Sequence, residues 1–371
     1  MSPPEATILT ATIKIERVGR EGQGVGFDPD GNIYFVPKTV PGDRVCVSFT
    51  DRAGRYRDAD PVEWIERSHD RQPSLCRYSE VCGGCEWLHW KYSAQLRAKE
   101  EMLRHQLQRL GVTVKEFFPI VPAAKIYAYR TRVQIRQRGS QLGFYKRRSH
   151  EIVDIDECRV AVPEINEEIR RLRGEGNVKE ARKIELVVTQ DGSIQRFTDR
   201  PHGAGGFIQI HGEQNEKLKE IVAEEIGHIG GKRVLELYCG NGNLTNSYFQ
   251  KVERLLGIDN NLFAINEAKR IFQNHENVRF LCQSIRPSLK RQIADTFETL
   301  LLDPPRLGTQ RMLRYFLNSS IQNIIYVSCS LSGFSYDMSD LKNLYETLRV
   351  RPIDMFPHTH HLEFVVTLRR R

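Results

Sequence analysis

No run of about 18 apolar residues occurs in this chain, which excludes a membrane-spanning helix from the expected architecture. The N-terminal MSPPEATILT lacks the basic region followed by an apolar run that marks a signal peptide, so a cytoplasmic protein is expected. There is no internal repeat and no low-complexity segment, which excludes a solenoid or a compositionally disordered chain. Cysteines are few: eight among 371 residues. In a reducing compartment they do not form a disulfide framework, so clustered ones read as metal ligands or nucleophiles. Acidic residues are the minority charge, 47 against 55 Lys and Arg, for a net charge of +8 and a pI near 9.0. That balance suits a polyanionic partner without requiring one. A hydrophobic fraction of 40% is ordinary for a globular protein, and the length suits two to three domains.

From Thr10 to about Ile65 the chain reads as short strands separated by turns, with Asp30-Gly31 and Pro41-Gly42 as the strongest turn signals. Regular short strands predict a small antiparallel barrel. Its basic and aromatic residues, Lys38, Arg52, Arg55, Tyr56 and Arg57, either follow a nucleic-acid backbone or form a solvated barrel surface. A helical segment spans Ser93 to Leu110 and is ended by Gly111. Between Ala128 and Glu151, Val133 and Ile135 alternate with Arg132 and Arg136, predicting a sheet with one apolar and one basic face. From about Gly230 apolar strands alternate with helices: Arg233 to Tyr238, Arg254 to Ile258, Val278 to Cys282, Thr299 to Leu302 and Asn323 to Val327, with a helix from Asn261 to Asn274. That pattern predicts a doubly wound α/β domain.

The first of these strands runs into Glu236-Leu-Tyr-Cys-Gly240-Asn-Gly242-Asn243-Leu-Thr. Glycines such as Gly240 at a strand-to-helix turn let the backbone approach a ligand. The second strand ends in Asp259, where a carboxylate can accept hydrogen bonds from ribose hydroxyls. A dinucleotide or S-adenosylmethionine fits this much. The loop is G-x-G-x-x-T, not G-x-G-x-x-G, and the fourth strand ends in Asp303-Pro304-Pro305-Arg306, a turn whose rigid carbonyls point toward the crevice. Both features favour the methyl donor.

Cys329 lies in Tyr326-Val-Ser-Cys-Ser330, where the fifth strand breaks into a polar stretch. Read alone it is a small buried hydrophobe. At a strand's carboxyl end it would face the ligand crevice of an open α/β sheet. Glu363 follows in the C-terminal Phe356-Pro-His-Thr-His-His-Leu-Glu-Phe segment. Arg306, in the neighbouring strand-end loop, either lowers the thiol's pKa electrostatically, pins the loop or binds phosphate. Nearer the N-terminus, Cys76-x5-Cys82-x2-Cys85 is too irregular for paired zinc knuckles; zinc held by four thiolates and an iron-sulfur cluster both remain open.

Taken together, Leu235-Glu-Leu-Tyr-Cys-Gly-Asn-Gly-Asn, Leu302-Asp-Pro-Pro-Arg, Tyr326-Val-Ser-Cys-Ser and the C-terminal segment resemble the RNA uracil-C5 methyltransferases, over almost the whole chain. The resemblance implies a TRAM-like barrel at 8–66, a central α+β domain with an iron-sulfur and RNA-binding role at 67–205, and a Rossmann-like S-adenosylmethionine-dependent methyltransferase domain at 206–371. It implies that Gln209, Tyr238, Asn243, Asp259 and Asp303 contact S-adenosylmethionine, that Cys329 is the nucleophile and that Glu363 is the general base. Cys76, Cys82, Cys85 and Cys158 match the family's four-cysteine [4Fe-4S] site. Two positions depart from the pattern: His211 stands where the family usually has Asn, and Ser284 replaces a residue that contacts the adenine side. The implied substrate is RNA, with 23S rRNA favoured over tRNA, and a monomer with no membrane partner is expected.

Uracil C5 attacks a sulfonium methyl only after a thiolate adds to C6, and a carboxylate must then take the C5 proton. A tRNA uracil-54 enzyme is the alternative in the same class. An RNA cytosine-C5 methyltransferase would carry a second Cys in the turn occupied here by Pro304-Pro305. A non-catalytic RNA-binding protein would have lost Cys329 or Glu363, and a nicotinamide dehydrogenase is opposed by the Thr in the glycine loop.

Overall fold

The computed structural model describes residues 8–50, 54–176, 178–189, 191–199, 209–286, 296–317 and 319–371. The chain divides into two compact units. One comprises residues up to Met102 with Gln141–Arg159 and Pro357–His360; the other comprises Leu103–Ser140, Val160–Phe356 and His361–Arg371. Among the described residues no helix is long and apolar enough to cross a membrane.

The first unit begins with β1 (Ile8–Val18), β2 (Gly24–Phe27), β3 (Ile33–Val36), β4 (Arg44–Thr50) and β5 (Tyr56–Glu66), closed into a barrel in the order β1-β2-β3-β5-β4. Closure removes the unpaired edges that a short open sheet would expose. Inward-facing Ile13, Ile15, Tyr34, Val36, Val45, Val47 and Ala59 fill it. Both turns read from the sequence are present. Gly31 (φ 78°) and Gly42 (φ 93°) adopt the left-handed region, and the Asp43 N–H donates to the Val40 carbonyl across Pro41-Gly42. Pro61 is accommodated in β5 because the ladder to β4 is irregular between Cys46 and Val47, where no amide donor is required. Asp43, fully buried, is satisfied by the Val40 and Ser68 amides and by the Arg71 guanidinium at 2.6 Å.

After the barrel come α1 (Tyr92–Arg109), β6 (Val114–Phe117), β7 (Arg132–Gly139), β8 (Gln141–Tyr145), β9 (Ile152–Asp154), α2 (Pro163–Gly174), β10 (Val178–Val188) and β11 (Ile194–Thr198). In the first unit Trp87 and Trp90 stack at 4.7 Å beneath α1, and buried Gln95 donates to both of their carbonyls. In the second unit β10 pairs with β7 and β11, antiparallel in both cases. The basic face expected for β7 is only partly realised. Arg132 is 8% exposed and its Nε donates to the buried Glu185 carboxylate at 2.5 Å, so its charge is neutralised from β10. The alternation alone could not reveal a carboxylate arriving from a strand about 50 residues away.

The second unit also contains α3 (Gly212–Ile229), β12 (Arg233–Leu237), α4 (Thr245–Tyr248), β13 (Arg254–Asp259), α5 (Leu262–Ile271), β14 (Val278–Cys282), β15 (Thr299–Leu302), β16 (Asn323–Ser328), α6 (Leu331–Leu341), β17 (Tyr345–Ile353) and β18 (Glu363–Arg370). They build an eight-stranded sheet in the order β14-β13-β12-β15-β16-β18-β17-β6. Strands β12 to β16 are parallel neighbours, and all but the edge strand β14 are nearly all buried, as expected where helices cover both faces. Strand β18 then enters antiparallel between β16 and β17. On one face α3 packs Leu218, Ile221 and Val222 against Val234, Leu301, Ile325, Val327 and Val365.

Candidate active site

The carboxyl ends of the parallel strands bring the candidate residues to one edge of the sheet. Asp259 lies level with Cys282, and Tyr238 follows β12 one step beyond the Leu237–Ile258 and Leu237–Leu302 pairs. Tyr238 has φ 63°, a strained conformation for a bulky residue, and its amide donates to the Ile258 carbonyl at 2.9 Å. Its ring lines a cavity of about 220 Å³ together with Asn260, Ser284, Ile285, Gly308 and Thr309. Asp259 receives the Gly240 amide at 3.0 Å and the Asn261 amide at 2.8 Å, which fixes the carboxylate and the glycine turn together. Gly242 (φ 83°) cannot be replaced, since a Cβ there would sit 2.8 Å from the Phe272 ring.

Cys329 and Glu363 are placed by strand register. Ser328 pairs with Phe364 and Val327 with Val365, so one further antiparallel step sets residue 329 opposite residue 363. Side chains alternate along a strand. Cys329 and Glu363 therefore take the same face as Val327 and Val365, and Asp303, two residues past Leu301, shares it. Their electrostatics register the proximity. Burial pushes the Cys329 thiol up to about 12, and the Glu363 and Asp303 carboxylates add to the rise, while Arg306 opposes it. Arg306 thus acts in the direction expected from the sequence and is outweighed. Burial also raises Asp303, to about 7, with the Glu236 charge as the second cause. Glu363 is 2% exposed, and burial followed by the Asp303 charge holds its pKa well above the usual carboxylate range.

Behind this edge a buried network holds the Asp303-Pro-Pro-Arg306 loop. The Pro305 carbonyl accepts the Gly308 amide at 2.8 Å and closes a turn, with Pro305 itself lining the cavity beside Tyr238. Asp337 of α6, fully buried, accepts the Thr309 amide at 2.7 Å, the Thr309 hydroxyl at 2.7 Å and the Tyr326 hydroxyl at 2.5 Å. Sequence reasoning missed Asp337; a lone Asp in a helix carries no motif. Glu236 is held by the Thr245 and Tyr248 hydroxyls, both at 2.6 Å, and burial lifts it to about 7.

Other candidates fall elsewhere. Asn243 exchanges reciprocal amide hydrogen bonds with Asn215 of α3, at 3.0 and 2.9 Å. Gln209 precedes α3 and lies outside the cavity lined by Tyr238 and Ser284. His211 caps α3, accepting the Gln214 amide, and stacks on Tyr129 at 4.7 Å, which accounts for its presence where Asn was expected. His358 hydrogen-bonds Gln95 through both its backbone amide and its ring, and its carbonyl accepts the Trp87 amide, a structural assignment. Cys239 is buried and Cys282 is exposed. In the first unit, Cys82 is raised to about 11, chiefly by burial, with charges from Cys158 and Cys76 as further causes, so these thiols are neighbours. Among the described residues no three His, Cys, Asp or Glu side chains converge closely enough to hold a metal ion.

An open sheet with a glycine turn, a carboxylate at the end of the second strand and a strand-end thiol opposite a carboxylate forms one candidate site. The sequence profile of the tRNA (uracil-5-)-methyltransferase family matches residues 183–371, and the chain belongs to this family. It is an RNA (uracil-5-)-methyltransferase. The 23S rRNA (uracil(1939)-C(5))-methyltransferase RlmD of Haemophilus parainfluenzae is 27% identical, over 98% of each chain. An uncharacterized RNA methyltransferase of Bdellovibrio bacteriovorus is 26% identical over 98% of this chain and 97% of its own. The crystal structure of the Pyrococcus abyssi tRNA (uracil-54, C5)-methyltransferase in complex with S-adenosyl-L-homocysteine shares the fold, with a TM-score of 0.74 and 24% identity over 96% of this chain and 100% of that one.

Proposed function

We propose that the chain methylates C5 of a uridine in 23S rRNA, with Cys329 as nucleophile and Glu363 as general base. The observation that carries the reading is the register that sets residue 329 opposite residue 363 beside Asp303 and Arg306. The 23S preference rests on full-length similarity to RlmD relatives. A tRNA target is the second reading, supported by the fold shared with the archaeal enzyme.

The cavity lined by Tyr238 and Ser284, the glycine turn and Asp259 fit S-adenosylmethionine, with Asp259 suited to the ribose hydroxyls, and Gln209, Gly240, Asn243 and Asp303 complete the proposed binding set. When bound it supplies an electrophilic methyl on a cationic sulfonium. Cys329 adds to C6 of the flipped base, which places electron density on C5. Arg306 favours the thiolate that this requires. Glu363 takes the C5 proton after transfer, and the thiolate leaves by elimination. The resting carboxyl must be deprotonated to do so, and its raised pKa makes it a strong enough base once it is.

The barrel is proposed to be TRAM-like, and Cys76, Cys82, Cys85 and Cys158 to bind a [4Fe-4S] cluster with a structural role. The reading is supported by the charges of Cys76 and Cys158 acting on Cys82 and by the four-cysteine pattern in the sequence. Iron and sulfide analysis of anaerobically purified protein tests this; about four irons per chain are expected, and zinc alone refutes the cluster.

The central experiment uses purified protein and RNA transcripts. Cys329→Ala abolishes 5-methyluridine, and Glu363→Gln accumulates an RNA–protein adduct that survives denaturing gels. Persisting 5-methyluridine in Cys329→Ala overturns the nucleophile assignment. Mass spectrometry of rRNA and tRNA from a strain lacking the gene distinguishes the two substrates.

A further inference from the structure

A second cavity, of about 310 Å³, opens on the barrel unit and is lined by Gln23, Phe35, Pro37, Asp58, Asp60 and Arg147, among others. It lies within the size range of small-ligand sites, about 300–1,000 Å³. Gln23, just before β2, is 7% exposed, and its Oε1 has no hydrogen-bond donor among the described residues. A buried acceptor left unpaired is costly, so this atom is poised for a ligand's N–H. Phe35 provides an aromatic wall and continues into Tyr56, whose ring stacks on it at 6.1 Å and 21° and which is 69% exposed. Bases stack on such surfaces. The two neighbouring arginines differ. Arg148 is engaged by Glu21 at 3.1 Å and Asp58 at 3.9 Å, whereas Arg147 makes no ion pair with the described residues.

We propose that this cavity takes one unstacked guanine of the RNA substrate. The inference rests on the reading of RNA as substrate and deepens it to a base-specific contact. Gln23 Oε1 and the Asp58 and Asp60 carboxylates call for donors, and the Arg147 guanidinium calls for acceptors. Guanine presents adjacent N1–H and N2–H donors on its Watson–Crick edge, with O6 and N7 acceptors on the other side. Adenine and cytosine offer a single amino group, and uracil a single N–H.

The test measures fluorescence anisotropy of the full chain with fluorescein-labelled hexauridine carrying one central guanine, inosine or adenine. The wild type binds the guanine oligomer about tenfold more tightly than the adenine one, and inosine, which lacks the 2-amino group, falls below guanine. Gln23→Leu and Arg147→Ala each bring guanine and adenine to equal affinity; Arg147 is partly exposed, so its loss leaves the fold intact. Equal binding of all three oligomers by the wild type, or an undiminished guanine preference in Arg147→Ala, overturns the proposal. Base-indifferent binding by a protein that still makes 5-methyluridine refutes the guanine site alone. A protein that neither binds nor methylates RNA overturns the substrate reading as well.

Discussion

Glu363→Gln is expected to stabilise the protein while disabling it, and the effect must depend on pH. Glu363 is 2% exposed, and no hydrogen bond from the described residues offsets the burial that, with the Asp303 charge, raises its pKa well above 4.5. In the unfolded chain a Glu titrates near about 4.3. Between that value and the raised one the folded state binds more protons than the unfolded state. The contribution to stability is therefore fully present below about pH 4 and is lost as pH rises through the raised pKa, at about 1.4 kcal/mol per pH unit. For a folding unit of this size each kcal/mol of that loss is about 2–4 °C in Tm. Glutamine stays neutral throughout. Thermal melts of both proteins at pH 4, 5, 6 and 7 should show the variant's Tm advantage growing with pH from its smallest value at pH 4. A pH-independent difference, or a variant that melts below the wild type at pH 7, would refute this account of the carboxyl.

Arg306→Ala removes the one charge that opposes the rise at Cys329, so iodoacetamide should alkylate that thiol several-fold more slowly at pH 8, read by mass spectrometry; an unchanged rate would detach Arg306 from the thiol. Asp337→Asn disturbs the three donors that fix Thr309 and Tyr326, and a cost of about 1–3 kcal/mol is expected. Because Thr309 lines the cavity beside Tyr238 that is proposed to take S-adenosylmethionine, the KM for that cofactor should rise more than kcat falls. Glu185→Ala removes the carboxylate that faces the buried Arg132 guanidinium and should destabilise the protein in urea denaturation, with Arg132→Met/Glu185→Leu recovering most of the loss.

The parallel strands were legible because full burial writes them as unbroken apolar runs, as in Thr299–Leu302 and Asn323–Ser328. The helix read from Ser93 to Leu110 is observed at Tyr92–Arg109. Non-local pairings were not legible. Val114 joins Thr347 in parallel at the far edge of the sheet, and no local pattern announces a partner so distant in sequence. Cys329 and Glu363 were singled out by their neighbours in sequence, but their juxtaposition depends on β18 entering antiparallel beside β16. The net shift of the thiol was not legible for a related reason. Arg306 is visible in the sequence, whereas the desolvation that outweighs it exists only after packing.

The antiparallel pairing of β16 and β18 also makes the separation of thiol and carboxylate a matter of counting. Insertion of one residue between Glu363 and Phe364, with the remaining ladder unchanged, would turn the carboxylate to the opposite face of the sheet. Insertion of two would restore the face but carry the carboxylate about 6.6–6.8 Å along the strand. Substitutions across β18 alter the site by degrees, while a change of length there switches it off.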